Sequence, residues 1–121
     1  MANELASRPR LLLVEDDLLV RETIILMLED DYEVVHEASV ADALRRLGAP
    51  GALPADVLLL DCLLPDGKVS VVLAVADQLS IPVVLISGDT RMNETLGPDR
   101  LFLPKPFSQA SLLSVLDSAR G

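Results

Sequence analysis

Short apolar runs alternate with helix-patterned stretches along the chain, and that alternation predicts its elements. Leu11-Leu12-Leu13-Val14 is an uninterrupted apolar run, the pattern of a strand buried on both faces. Glu15-Asp16-Asp17 ends it, and an Asp there can cap the next helix. That helix spans Leu18 to Glu29, carries Leu19, Thr23, Leu26 and Met27 at helical spacing, and stops at Asp30-Asp31. Tyr32 to Ala38, with Val34-Val35, predicts a second strand. Ser39 caps a helix through Leu47, with Val40, Ala43, Leu44 and Leu47 on one side. Gly48 to Pro54 holds two Gly and two Pro and predicts a loop. Val57 to Leu60 is a third buried strand closed by Asp61, and Pro65-Asp66-Gly67 is a turn. A Val-rich helix comes next over Val69 to Leu79, then a fourth strand over Pro82 to Ile86. Thr90 to Leu96 predicts a short helix stopped by Gly97-Pro98. Leu101-Phe102-Leu103 is a fifth strand, and Ser108 caps a last helix through Ala119.

Five strands alternating with helices imply an α/β fold, a three-layer α/β/α sandwich around a parallel sheet. Right-handed crossovers leave few topologies for it. The 121 residues predict a single domain, 1–121, with its core over about 10–119. Half the residues are hydrophobic, which supplies one core and excludes a disordered chain. Against 19 Asp+Glu stand 10 Lys+Arg, a formal net charge of −9. That balance argues against direct nucleic-acid binding and against an anionic membrane surface. It suits a cation or a basic partner face. Cys62 is the only cysteine, so no intrachain disulfide forms, as in a reducing compartment. Met1 to Arg10 lacks the apolar core of a signal peptide, and no apolar run reaches the ~20 residues of a membrane helix. A cytoplasmic location is expected.

In sheets of this kind, ligands sit at the carboxyl ends of the strands. Glu15, Asp16 and Asp17 come after strand one, Asp61 after strand three, Ser87 and Gly88 after strand four, and Lys105 and Pro106 after strand five. Each has an ordinary reading alone: a helix cap, a turn residue, a loop, a surface lysine. Together, at four of five strand ends, they predict one cleft. Carboxylates gathered there repel one another, and a hard divalent cation resolves the repulsion. Mg²⁺ suits one or two carboxylates, waters and a phosphate oxygen. Lys105 adds a positive charge, while Ser87 and Gly88 offer donors and room for a tetrahedral anion. Asp61 is the expected nucleophile, as in aspartyl-phosphate chemistry.

Leu-Val-Glu-Asp-Asp (13–17), Leu-Leu-Asp-Cys-Leu-Leu-Pro-Asp-Gly (59–67), Pro-Val-Val-Leu-Ile-Ser-Gly (82–88) and Phe-Leu-Pro-Lys-Pro-Phe (102–107) resemble the receiver domains of two-component response regulators, over Leu11 to about Ala119. The resemblance implies strand order 2-1-3-4-5. It implies that Asp61 accepts a phosphoryl group from a sensor histidine kinase or phosphotransfer protein, and that the domain catalyses only its own phosphorylation and dephosphorylation. Asp16 would bind Mg²⁺ directly, Glu15 through water, and Leu63 by its backbone carbonyl. Lys105 would pair with Asp61 and then with the phosphoryl oxygens, and the Lys105-Pro106 bond would be cis. Ser87 and the Gly88 amide would bind the phosphoryl group, and Phe102 would be the aromatic switch.

Departures from the family pattern are also visible. Phe102 lacks the commoner Tyr hydroxyl, and Val69 stands where a glycine commonly comes after the turn. The segment from Ser87 to Phe102 is about one helical turn short, so the fourth helix is expected to be stunted and any homodimer weak. Leu63 offers no polar group to a hydrolytic water, whereas Asp89 does. Cys62 is expected to be a small core residue, and His36 to lie within strand two away from the cleft. A degenerate receiver acting as a constitutive binding module is one alternative. A Mg²⁺-dependent aspartyl phosphatase is another, disfavoured because Leu63 stands where a second acid is usual. The kinase and the downstream effector are not named by these residues. Met1 suggests a true N-terminus, and a stand-alone regulator and an excised N-terminal receiver are equally compatible with the chain.

Overall fold

The computed structural model describes residues 8–50, 55–89, 91–97 and 99–121. Most of the expected loop (51–54), together with Thr90 and Pro98 flanking the short fourth helix, lies outside them. In chain order the elements are β1 (Arg10–Val14), α1 (Leu18–Leu28), β2 (Glu33–Glu37), α2 (Val40–Leu47) and β3 (Val57–Asp61), then α3 (Val69–Gln78), β4 (Val83–Ser87), α4 (Met92–Leu96), β5 (Leu101–Pro104) and α5 (Gln109–Arg120). The sheet is parallel throughout, in the expected order β2-β1-β3-β4-β5.

The central strands β1, β3 and β4 are the uninterrupted apolar runs, and pleating sends alternate residues to opposite faces. Leu12, Leu58, Leu60 and Leu85 pack against α2 and α3 through Val40, Ala43, Val72 and Ala76. Leu11, Leu13, Leu59 and Ile86 pack on the other face against α1 and α5 through Ile24, Leu28, Leu112 and Leu116. Each fully buried Leu or Ile contributes about 1.5–3 kcal/mol relative to exposure.

Local capping sets the helix starts. Asp17 accepts from the Val20 amide, Ser39 from Asp42 and Ser108 from Ser111. α3 starts at Val69 behind Lys68 with no side-chain cap, in line with the altered turn there. α4 has only five residues, as its short segment predicts.

The α1 face departs from expectation. Ile24 and Leu28 are buried, whereas Leu19 and Leu26 of the expected stripe are 78% and 68% exposed. Leu18–Leu28 is apolar almost all round, so its periodicity selects no face and the sheet contact decides. Element ends also shift slightly. Asp61 and Ser87 are the last residues of their strands, and Pro82 precedes β4. Tyr32 lies just before β2, while Glu29 and Leu79 are C-caps rather than helix. Among the described residues, no helix is long and apolar enough to cross a membrane.

Candidate functional site

The sheet register brings the strand ends together. Asp61 lies beside Ile86, and Ser87 beside Pro104, one residue before Lys105. Backbone hydrogen bonds continue the ladders past the strand ends. The Glu15 amide donates to the Glu37 carbonyl at 3.1 Å, Cys62 to Ile86 at 2.9 Å, and Lys105 to Ser87 at 2.8 Å. The residues that carry chemistry are thus held by the sheet rather than by free loops.

Glu15, Asp16 and Asp61 each present a carboxylate oxygen, and these oxygens lie within 4.8 Å of one another. Glu15 and Asp61 are only 1% and 5% exposed, whereas Asp16 is open to solvent. Oxygen ligands at this spacing, two of them buried, fit a hard divalent cation of the Mg²⁺ class. Lys105 closes the opposite side. Its Nζ donates to Glu15 Oε1 at 2.8 Å and lies 3.6 Å from Asp61 Oδ2. The expected Lys105–Asp61 pair is present, but the shorter contact goes to Glu15. A carboxylate as buried as Glu15 is costly without a cation, and Lys105 is the charge in reach.

Burial is the main cause that pushes the Asp61 carboxyl up to about 7, and the facing Glu15 carboxylate adds to it. Lys105 and the Leu63 amide, which donates to Asp61 Oδ1 at 3.3 Å, oppose the rise. Burial works to lower the Lys105 ammonium, but its bond to Glu15 and the Asp61 charge outweigh it, and the net direction is upward.

Ser87 is buried, and its Oγ accepts from the Asp89 amide at 3.0 Å, leaving its own proton available to a ligand. A β-carbon at Gly88 would meet no atom within 4 Å, so the space beside it is open. The Leu63 side chain is 57% exposed at the rim. The Lys105-Pro106 peptide is cis. Phe102 is half-buried against the α2–α3 core. Cys62 is buried, and burial together with the Asp61 charge pushes its thiol up to about 12, consistent with a core residue. His36 is exposed on β2, away from the cleft. Asp89 faces Arg91, whose Nε and Nη2 each donate to it at 3.0 Å, and that bidentate pairing occupies both oxygens. Beside Lys105 an apolar groove of about 450 Å³ runs along α1, lined by Leu19, Val20, Met27, Pro106 and Phe107. Local sequence patterns miss this groove, because its α1 wall is the stripe expected to be buried.

A parallel sheet of this order, with its polar chemistry gathered at the carboxyl edge, defines the class. The chain superposes on solved response regulator receiver domains and resembles them in fold and in the placing of these residues. Over 117 residues, 91% of the chain, it is 33% identical to the transcriptional regulatory protein CseB of Streptomyces avermitilis and covers 48% of that protein. The chain thus spans about half the length of the curated relatives it matches. It superposes on the response regulator receiver protein of Sinorhizobium medicae with a TM-score of 0.80 at 27% identity, covering 95% of this chain and 96% of that one. The receiver domain of a sensor histidine kinase from Pseudomonas aeruginosa, which has a magnesium ion in its active-site cleft, shares the fold with a TM-score of 0.79 at 23% identity, covering 95% and 99%. No family model matches the chain.

Proposed function

We propose that this domain is a phosphorylation switch that accepts a phosphoryl group on Asp61 from a sensor histidine kinase or phosphotransfer protein. The observation that carries the reading is the convergence of Glu15, Asp16 and Asp61 with Lys105 at one sheet edge. Glu15, Asp16, Asp61 and the Leu63 backbone carbonyl would hold Mg²⁺. Bound there, the cation supplies positive charge for the phosphoryl oxygens and makes the ionised form of Asp61 the stable one.

Asp61 Oδ then attacks phosphorus in line, and the bond between phosphorus and the donor nitrogen breaks. Lys105, already between Glu15 and Asp61, turns its ammonium toward the transferred oxygens. The Ser87 hydroxyl and the Gly88 amide donate to the same group. Ser87 moving inward vacates space, and Phe102 rotates to fill it, which biases a two-state domain by one covalent charge. The apolar groove beside Lys105 supports docking of a protein donor rather than a small-molecule one. The domain catalyses only its own phosphorylation and dephosphorylation, in the cytoplasm, and its output acts through a downstream effector. The curated relatives' role in transcription supports an output of that class.

The test is intact mass after incubation with acetyl phosphate and Mg²⁺, for wild type and Asp61→Asn. Gain of one phosphoryl group by wild type alone is expected. Equal gain by both would place the acceptor elsewhere. No gain by either folded protein would leave the constitutive binding module as the better account.

A further inference from the structure

Helix α2 takes most of its amino-terminal cap from the loop after Asp61. Ser39 Oγ accepts from the Asp42 amide at 3.1 Å, which is the local cap. The two preceding amides turn to Asp66: Val40 N–H donates to Oδ1 at 2.8 Å and Ala41 N–H to Oδ2 at 3.1 Å. Asp66 is 26 positions from Val40 in sequence. Two further contacts hold the same junction. A β-carbon on Gly67 would come within 3.2 Å of Val40 Cγ1, so the backbone there rides directly on α2. Leu64 and Val40 are buried in one apolar cluster. The loop is fastened at its other end too, where the Leu63 amide donates to Asp61 Oδ1. The Asp66 carboxyl is held below the usual carboxylate range by the two amides, and it serves the helix as a charged cap.

We propose that Asp66 is a positioning residue of the cleft. By clamping the loop after Asp61 to the first turn of α2, it holds the Leu63 backbone where the loaded site needs it, and it makes that turn of α2 respond to occupancy. The inference rests on the reading that Glu15, Asp16 and Asp61 take Mg²⁺. The coupling is reciprocal: what steadies the loop steadies the turn, and the reverse.

The experiment titrates Mg²⁺ alone by calorimetry into wild type, Asp66→Ala, Asp66→Asn and Ser39→Ala, each shown to be folded by circular dichroism. Amide exchange at Val40 and Ala41 is measured with and without Mg²⁺. Asp66→Ala should weaken Mg²⁺ about fivefold or more, since supporting groups commonly cost that much. Asp66→Asn keeps one of the two acceptor oxygens and should restore part of the affinity. Ser39→Ala removes a cap from the same helix without touching the loop, and should leave affinity within about twofold. Mg²⁺ should slow exchange at Val40 and Ala41 in wild type. Equal weakening by Ser39→Ala and Asp66→Ala would reduce the effect to helix stability and overturn the proposal. So would unchanged affinity in Asp66→Ala, or exchange in wild type that ignores Mg²⁺. A wild type that takes no Mg²⁺ would overturn the reading beneath it and this inference with it; a wild type that binds while the Asp66 variants are indifferent overturns this inference alone.

Discussion

Asp61 carries a charge that the fold, without a cation, opposes, and replacing it with Asn should make that opposition measurable. The residue is 5% exposed, and its carboxyl rises from 3.8 to about 7. Because the folded value lies above the unfolded one, the folded state holds the proton more tightly. The stability this confers is complete below about pH 4 and is lost as pH climbs through about 7. A tenfold difference in proton affinity is worth about 1.4 kcal/mol. The span here gives an upper bound of about 4 kcal/mol, which water at the open rim reduces to roughly 2–3 kcal/mol. Asp61→Asn removes the charge, keeps the shape, and still offers the Leu63 amide an acceptor. In the presence of a chelator, the variant should therefore be the more stable protein at pH 8, by that amount. At about 3 °C per kcal/mol for a domain of this size, its Tm should stand roughly 6–9 °C above wild type. Circular dichroism melts at a series of pH values check this, and the gap should narrow as pH falls below about 7 and close near about pH 4. Adding Mg²⁺ should narrow it at pH 8 by stabilising folded wild type. A variant that melts at or below wild type at pH 8, or a gap that ignores pH, would refute the reasoning.

Other substitutions probe the surroundings. Lys105→Ala leaves the Glu15 carboxylate, 1% exposed, without its ammonium, and should cost about 3 kcal/mol in urea unfolding at pH 7. Arg120 lies 5.3 Å from the Tyr32 ring centroid and donates to its hydroxyl at 3.1 Å. Arg120→Ala should cost about 1 kcal/mol and drive the Tyr32 phenol, already raised by burial, higher still. Ultraviolet difference absorbance reads that directly, because Tyr32 is the only tyrosine. Cys62 should resist thiol reagents in the native protein at pH 8 and label only as fast as the domain unfolds; rapid native labelling would contradict its burial.

The fold could be read from the chain because its strands advertise themselves. β1, β3 and β4 are buried on both faces, so their runs are nearly free of polar residues, and Asp17, Ser39 and Ser108 cap helices within three residues of themselves. The acidic cluster and Lys105 could be read because each sits just past such a run, and a parallel sheet lines up its strand ends along one edge. The features that escaped depend on distance or on competition. Asp66 passes for a turn residue, since its partners Val40 and Ala41 are remote in sequence. That Lys105 lies closer to Glu15 than to Asp61 is a matter of three-dimensional placement, which no spacing encodes. On α1, Leu19 and Ile24 are equally apolar as letters, and only the sheet distinguishes them.

Arg120 ends α5 against Tyr32 at the mouth of β2, beside a hollow shared with Arg8, Pro9, Asp56 and Pro82. All of these lie at the amino ends of the strands, the pole opposite the acidic cleft. α5 is 12 residues long, about 18 Å of helix, and spans the molecule between the two poles. A fluorophore or reporter fused behind α5 would therefore sit clear of the cleft and of any donor docked there. It would also register nothing of a purely local rearrangement around Asp61. For a biosensor built on this domain, that attachment point is the quiet one, and a label meant to see the switch belongs on the rim, at Leu63 or on α4.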